Sequence, residues 1–361
     1  MSRRDTLARV LVVAVGILGL VGTGWAAEPP KKIYNIEYYL TTPPGSADNF
    51  WIPVAKALGY FAQEGIDVTP ITAAGAGVAV SAGQGDVAIT APVILVSAAA
   101  SANPLDLVII YPWARRLHTE LAVPVDSPIK TVKDMKGARI ATHSFQQSQY
   151  VAAKAALRMN GIDPDKEVKF FSIPAGAPMV NAVQRKEVDV IASFDTQLAQ
   201  MVNLGLQVRH LELPPATRKA FGSAFAVRRE YITQHPERII GFGRAIAKAT
   251  VFTQANPEAA TRLLWKYFPD SKPKDVPEDR ALQMSLRAVK SRLDNAVVAP
   301  SDEVQQYGYV PLSGFEAWLE IDPQWKPKAG DLRRFLDNRF VDEYNRFDAE
   351  EIVRQARGFK G

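Results

Sequence analysis

Apolar residues at helical spacing first stand out in residues 50–62, where Trp51, Val54, Ala55, Leu58, Phe61 and Ala62 fall on one face of a helix. Pro53 sits in the first turn, where its missing N–H costs nothing, and Gly65 suits the left-handed residue that ends a helix. Ile66-Asp67-Val68 opens a strand, and the alternating run Ile33–Leu40 supplies the strand before the helix. Together they spell a βαβ unit. The pattern goes on with a strand at Val68–Ile71, a short helix ending at Gly83, a strand at Asp86–Thr90 and a small-residue helix over Val93–Ala102.

A second set of elements echoes the first. The helix Gln149–Met159 runs into Gly161-Ile162-Asp163 as the first runs into Gly65-Ile66-Asp67, and residues 185–192 parallel residues 82–89. Two similarly built α/β lobes are expected. Leu107–Val125 is the predicted first crossing between them and Val208–Val227 the return. On this reading lobe one comprises residues 33–118 and 222–361, and lobe two residues 119–221. From Arg229 onward the pattern is helical. Pro236 and Pro257 mark helix starts, Asn256 an N-cap, and Ser313-Gly314-Phe315-Glu316 a capping box. Asp331–Tyr344 is expected to pack against lobe one.

Composition narrows the chemistry. The chain has 361 residues, 47% hydrophobic and 22% charged, as a globular protein with a sizeable core requires. The net charge of +5 is spread without a basic run interleaved with aromatics, so nucleic-acid binding has no support. There is no cysteine, which excludes disulfides, thiolate chemistry and a lipoprotein anchor. Residues 1–26 read as an export signal, with Arg3 and Arg4 ahead of the apolar run Val10–Val21 and small residues at Gly24 and Ala26. The twin arginines partly match a twin-arginine signal; ordinary secretion is the preferred reading. The expected product is a soluble periplasmic protein without an anchor.

The four histidines show no metal-ligand spacing, and the chain contains no GxSxG elbow, phosphate-binding loop or dinucleotide fingerprint. No catalytic residue, metal or cofactor is expected.

The stretch Val54–Val68, together with Ser81–Ile89, Ile129–Ala141 and Leu157–Val168, resembles the sulfonate-, nitrate- and thiamine-pyrimidine-precursor-binding proteins of bacterial ABC importers. Two departures stand out, Lys186 at a usual glycine and Phe194 at a frequent tryptophan. The resemblance implies a bilobed type II periplasmic binding fold, most simply a monomer, that captures a small molecule and hands it to a permease with ATPase subunits. A sensory protein that docks a receptor is one alternative. A periplasmic enzyme is another, although the relatives that are enzymes use cysteines absent here.

In such sheets ligands bind beyond the carboxyl ends of the strands. Lobe one offers Asn49, Trp51, Gly75 and Thr90, and lobe two offers Ser144, Phe145, Gln146, Phe194 and Asp195, with Trp113 near the crossing. Aromatic walls favour a flat or apolar partner, and Asp195 favours an amine or ring N–H. A heteroaromatic or amine-bearing solute, pyrimidine-like, is therefore expected ahead of an alkyl sulfonate.

Overall fold

The computed structural model describes residues 33–101, 103–297 and 304–360, so the predicted export signal lies outside the described residues. Two five-stranded mixed sheets organise the chain. The strands of the first are β1 (Tyr34–Leu40), β2 (Ile66–Thr72), β3 (Val87–Thr90), β4 (Val108–Pro112) and β10 (Ala224–Val227), in the order β2-β1-β3-β10-β4. β1 to β3 are parallel, and β10 runs antiparallel between β3 and β4. The second sheet, ordered β7-β6-β8-β5-β9, is built from β5 (Thr119–Pro124), β6 (Arg139–Thr142), β7 (Lys169–Ser172), β8 (Val190–Phe194) and β9 (Val208–His210).

The crossings are shorter than the sequence suggests. Leu107–Val125 is not one strand but β4 and β5 in different sheets, joined by residues 113–118; residues 211–223 make the return. The two apolar runs serve two cores.

The helix after β1 is also not continuous. It is α1 (Trp51–Ala57) and α2 (Tyr60–Gln63), broken where Gly59 takes φ 70°. The break resets the helical phase, so Tyr60 and Phe61 face the core while Ala62, expected inside, is exposed. Neither Asp48 nor Asn49 caps α1. Ser46 caps a short 3-10 turn over Ala47–Asn49 instead, accepting the Asp48 N–H at 3.4 Å.

Each sheet is covered on both faces. α1, α2, α8 (Arg229–Gln234), α9 (Pro236–Ala255) and α10 (Pro257–Tyr267) close one face of the first sheet around Trp51, whose ring lies 5.3–5.5 Å from those of Tyr38, Phe225 and Phe242. Burying such a ring stabilises by about 5 kcal/mol, from roughly 200 Å² at about 25 cal/mol/Å². α3 (Ala76–Ser81), α4 (Pro92–Ala99), α12 (Leu312–Ile321) and α13 (Lys326–Ala329) close the other face. In the second sheet the alternation on β5 sends Leu121 and Val123 toward α5 (Ser148–Met159), and Ala122 toward α6 (Ala177–Gln184) and α7 (Asp195–Asn203). α11 (Glu278–Val297) lies along α7 and also meets the 3-10 turn after β1. α14 (Val341–Tyr344) and α15 (Ala349–Gly358) pack on α9, and the tail hydrogen-bonds the edge of β4, Asp337 N–H to Ile109 O at 3.0 Å.

Pro236 and Pro257 open helices as the sequence indicates, and Asn256 caps α10 through the Ala259 N–H at 2.9 Å. The capping box at Ser313 does not form. α12 starts two residues earlier, behind Pro311, because that proline already supplies extended backbone at the boundary; Ser313 lies inside the helix. The capping box that does form joins Thr131 and Asp134.

The glycine–aspartate echo has a structural cause. Asp86 exchanges hydrogen bonds with Glu37 in the middle of β1: its N–H donates to Glu37 O, and its carboxylate accepts the Glu37 N–H at 2.9 Å. Asp189 does the same to Arg139 at the foot of β6, again at 2.9 Å. Helix-ending turns precede both. Gly83 takes φ 91° in the first; in the second Lys186 takes φ 57°, a left-handed conformation that costs a side-chain-bearing residue roughly 1–2 kcal/mol. After allowing for the greater chain entropy of glycine, Lys186→Gly is expected to stabilise by about 0.5–1 kcal/mol. A melting temperature higher by about 1–2 °C would register it.

Candidate functional site

The carboxyl ends of β1, β3, β6 and β8 converge on one cleft between the two sheets. Its main cavity, about 90 Å³, is lined by Thr41, Ala74, Gly75, Ala76, Gly77, Val78, Ile89, Thr90, Ala91 and Ile94 from the first sheet's side. Gln146, Gln147, Ser148 and Phe194 line it from the second, and Ser223 from the return crossing. Behind it lies an inner cavity of about 20 Å³, room for about one water. The two share Thr41, Ile89, Phe194 and Ser223.

The electrostatics of the two differ. Among the described residues that line the main cavity none is charged. It is met by the first turns of three helices: α3 behind Gly75, α4 behind Ala91 and α5 behind Gln147. α4 opens on Pro92, which has no N–H, and the Ile94 and Tyr150 N–H groups are taken by Ala91 O at 3.0 Å and Gln147 O at 3.2 Å. The other first-turn N–H groups have no intrahelical partner, so such ends favour an anion or another strong acceptor. The inner cavity is lined by Tyr38, Asp48, Asn49, Trp113, His118 and Arg292, among others. Its chemistry is charged and aromatic.

Four of the expected residues meet in the main cavity: Gly75, Thr90, Gln146 and Phe194. Asn49 and Trp113 line the inner one, where the Trp113 indole N–H donates to Asp48 O at 3.0 Å and Asn49 Nδ2 donates to Pro43 O at 3.2 Å. The other four lie outside both cavities. Trp51 is fully buried as the hub of the aromatic core, because its position on α1 faces α9 and the first sheet. The Ser144 hydroxyl is taken up locally, donating to Gln146 Oε1 and accepting the Gln146 N–H at 3.2 Å. Phe145 is 46% exposed and leans on Tyr150, 5.0 Å between ring centres. Asp195 is buried as the first residue of α7, its carboxylate 2.7 Å from Arg292 Nη2. That carboxylate is thus engaged inside the protein, sharing Arg292 with Asp48.

Further residues complete the site. Gln147 donates from Nε2 to Thr41 O at 3.2 Å, a bond between the two sides of the cavity, and receives the Gln149 amide at 2.6 Å. His118 stacks on Phe194 (4.7 Å, 20° between planes) and shares a hydrogen bond with Ser223 Oγ at 2.9 Å. Burial, then the nearby Arg292 guanidinium, holds the His118 pKa well below the usual imidazole range. Arg292, 1% exposed, lies on the buried face of α11 with Ala288, Val289 and Leu293. That register was the signal available in the sequence: Arg292 stands three and four residues after apolar positions that face inward.

His143, beside the second sheet's contribution, is hydrogen-bonded to Ser193 Oγ at 3.1 Å. Burial lowers its pKa to about 4, against a smaller opposing pull from Asp48. Between pH 6.5 and 4 the unfolded chain therefore binds a proton that the folded chain refuses. Stability is expected to fall as pH drops through that window, by up to about 3 kcal/mol from this group. Thermal melts from pH 7 to pH 4 would show the loss, and His143→Gln should reduce the slope while leaving the part that His118 contributes in the same direction. A slope unchanged in the variant would remove His143 as its cause.

Among the described residues no group of acidic or imidazole side chains has the makings of a metal site, and no helix is long and apolar enough to cross a membrane.

A family model described as "NMT1/THI5 like" matches residues 48–260. Among solved structures, the periplasmic aliphatic sulphonate binding protein SsuA from Escherichia coli is similar, with a TM-score of 0.59 at 20% identity over 87% of this chain and 99% of that one. The alkanesulfonate-binding protein SsuA from Xanthomonas axonopodis pv. citri, bound to MOPS, gives 0.58 at 17% identity over 88% and 99%. The periplasmic nitrate-binding protein NrtA from Synechocystis PCC 6803 gives 0.55 at 16% identity over 90% and 88%. No curated protein matches. The two mixed sheets and these likenesses give the bilobed type II periplasmic binding fold.

Proposed function

Because the chain belongs to the NMT1/THI5-like family, we propose that it is the extracytoplasmic solute-binding component of an ABC importer. In this reading the two lobes, residues 33–118 with 222–361 and residues 119–221, close over a small organic anion. The bound solute is passed unchanged to a permease. One observation carries the solute class: three helix N-termini meet an uncharged cavity. Backbone donors at helix ends hold a sulfonate or carboxylate without a cationic side chain. Val78, Ile94 and Phe194 would take an apolar portion beyond the acid group. A sulfonate or carboxylate thus moves ahead of the pyrimidine-like solute, because Asp195 is engaged by Arg292.

Binding without turnover fits a cavity whose lining holds no charged, imidazole or thiol side chain to move a proton or attack a substrate. The test is mass spectrometry of the small molecules released from protein purified from its native periplasm. A single small organic acid, near one per chain and chemically unchanged after long incubation, is expected. A solute that disappears in proportion to added protein would replace transport with catalysis, and a cationic solute would sink the anion reading.

A further inference from the structure

One guanidinium nitrogen holds both sides of the cleft. Arg292 Nη2 lies 2.7 Å from Asp48 Oδ1 and 2.7 Å from Asp195 Oδ1. Asp48 belongs to the loop after β1 of the first sheet, and Asp195 opens the helix after β8 of the second. A third contact ties the same two positions directly, the Thr196 hydroxyl donating to Asp48 Oδ1 at 2.9 Å. Arg292, Asp195 and Thr196 are 5% exposed or less. A single nitrogen cannot stay in contact with two carboxylates that move apart. Whichever neighbour α11 follows, separation of the sheets breaks either the Asp48 or the Asp195 pair, and it leaves a charge without its partner.

The geometry points to a built-in latch: Asp48, Arg292 and Asp195 hold the cleft shut before any solute arrives, and opening it requires breaking a buried ion pair. This rests on the reading that the two lobes open and close. The latch raises the closed population of the solute-free protein and so lowers the conformational cost of capture.

The test needs no solute. Spin labels on Ala82→Cys and Ala177→Cys, exposed positions on opposite sides in a chain with no native cysteine, report the lobe-to-lobe distance distribution. In solute-free protein the short distance should dominate, and Arg292→Met should raise the long-distance population at least about tenfold. Asp195→Asn keeps the shape and the Arg292–Asp48 pair; it should move the distribution the same way, and it decides the matter if Arg292→Met folds poorly. Identical two-component distributions in all three proteins would overturn the latch while leaving lobe motion intact. A single narrow distribution in all three would overturn both the latch and the opening on which it rests.

Discussion

Gly222→Ala is expected to be the most damaging single methyl in the molecule. A Cβ at Gly222 would stand 1.8 Å from His118 Nδ1, 2.5 Å from its Cε1 and 2.9 Å from Arg116 O. The ring cannot step aside, because it is fully buried, stacked on Phe194 and hydrogen-bonded to Ser223. Both crossings would have to shift, and with them the cavity wall that Phe194 and Ser223 provide. Overpacking of this kind should cost about 3 kcal/mol or more. Chemical denaturation measures the loss, and calorimetry with the copurified solute should find no binding. The double variant His118→Ala/Gly222→Ala should recover part of the stability, since the ring is the nearest obstacle. A double variant no better than the single one would place the strain elsewhere.

Gly77→Asp separates binding from folding. Gly77 lies in the first turn of α3, where a negative side chain suits the helix dipole, and an added Cβ there meets nothing closer than 3.4 Å. The fold should tolerate it, with a melting temperature within a few degrees of wild type. The carboxylate, however, would enter the main cavity where the anionic group is held. Two like charges about 4 Å apart repel by about 4 kcal/mol at an effective dielectric of about 20, so affinity should fall at least about 100-fold. Calorimetry with the copurified solute measures it. Unchanged affinity in a folded variant would move the anion away from α3.

The parts of this fold written locally were legible in the sequence. The β1–α1 boundary, the glycine–aspartate echo and the helix starts at Pro236 and Pro257 each depend on neighbouring residues, and local pattern carries such information. The loops proposed for the cleft could be named for the same reason, since they follow strand ends. What stayed hidden depended on contacts distant in sequence. Trp51 reads equally well as a cleft aromatic or a core hub, and only the arrival of Phe225 and Phe242 decides for the core. Asp195 reads as a ligand acceptor until Arg292, 97 residues on, reaches it. Gly59 reads as one more helical residue, and its φ of 70° breaks the helix so that Tyr60 joins Phe61 in the core while Ala62 turns outward.

The most direct measurement is a crystal structure of the protein with its copurified solute. Solute density is expected in the main cavity, its acid group against the backbone N–H groups of Gly77 and Ser148 and its apolar part toward Ile94 and Phe194. Density bound instead in the surface groove beside Tyr60, Lys248 and Arg354, with the main cavity left to water, would contradict the assignment of the site.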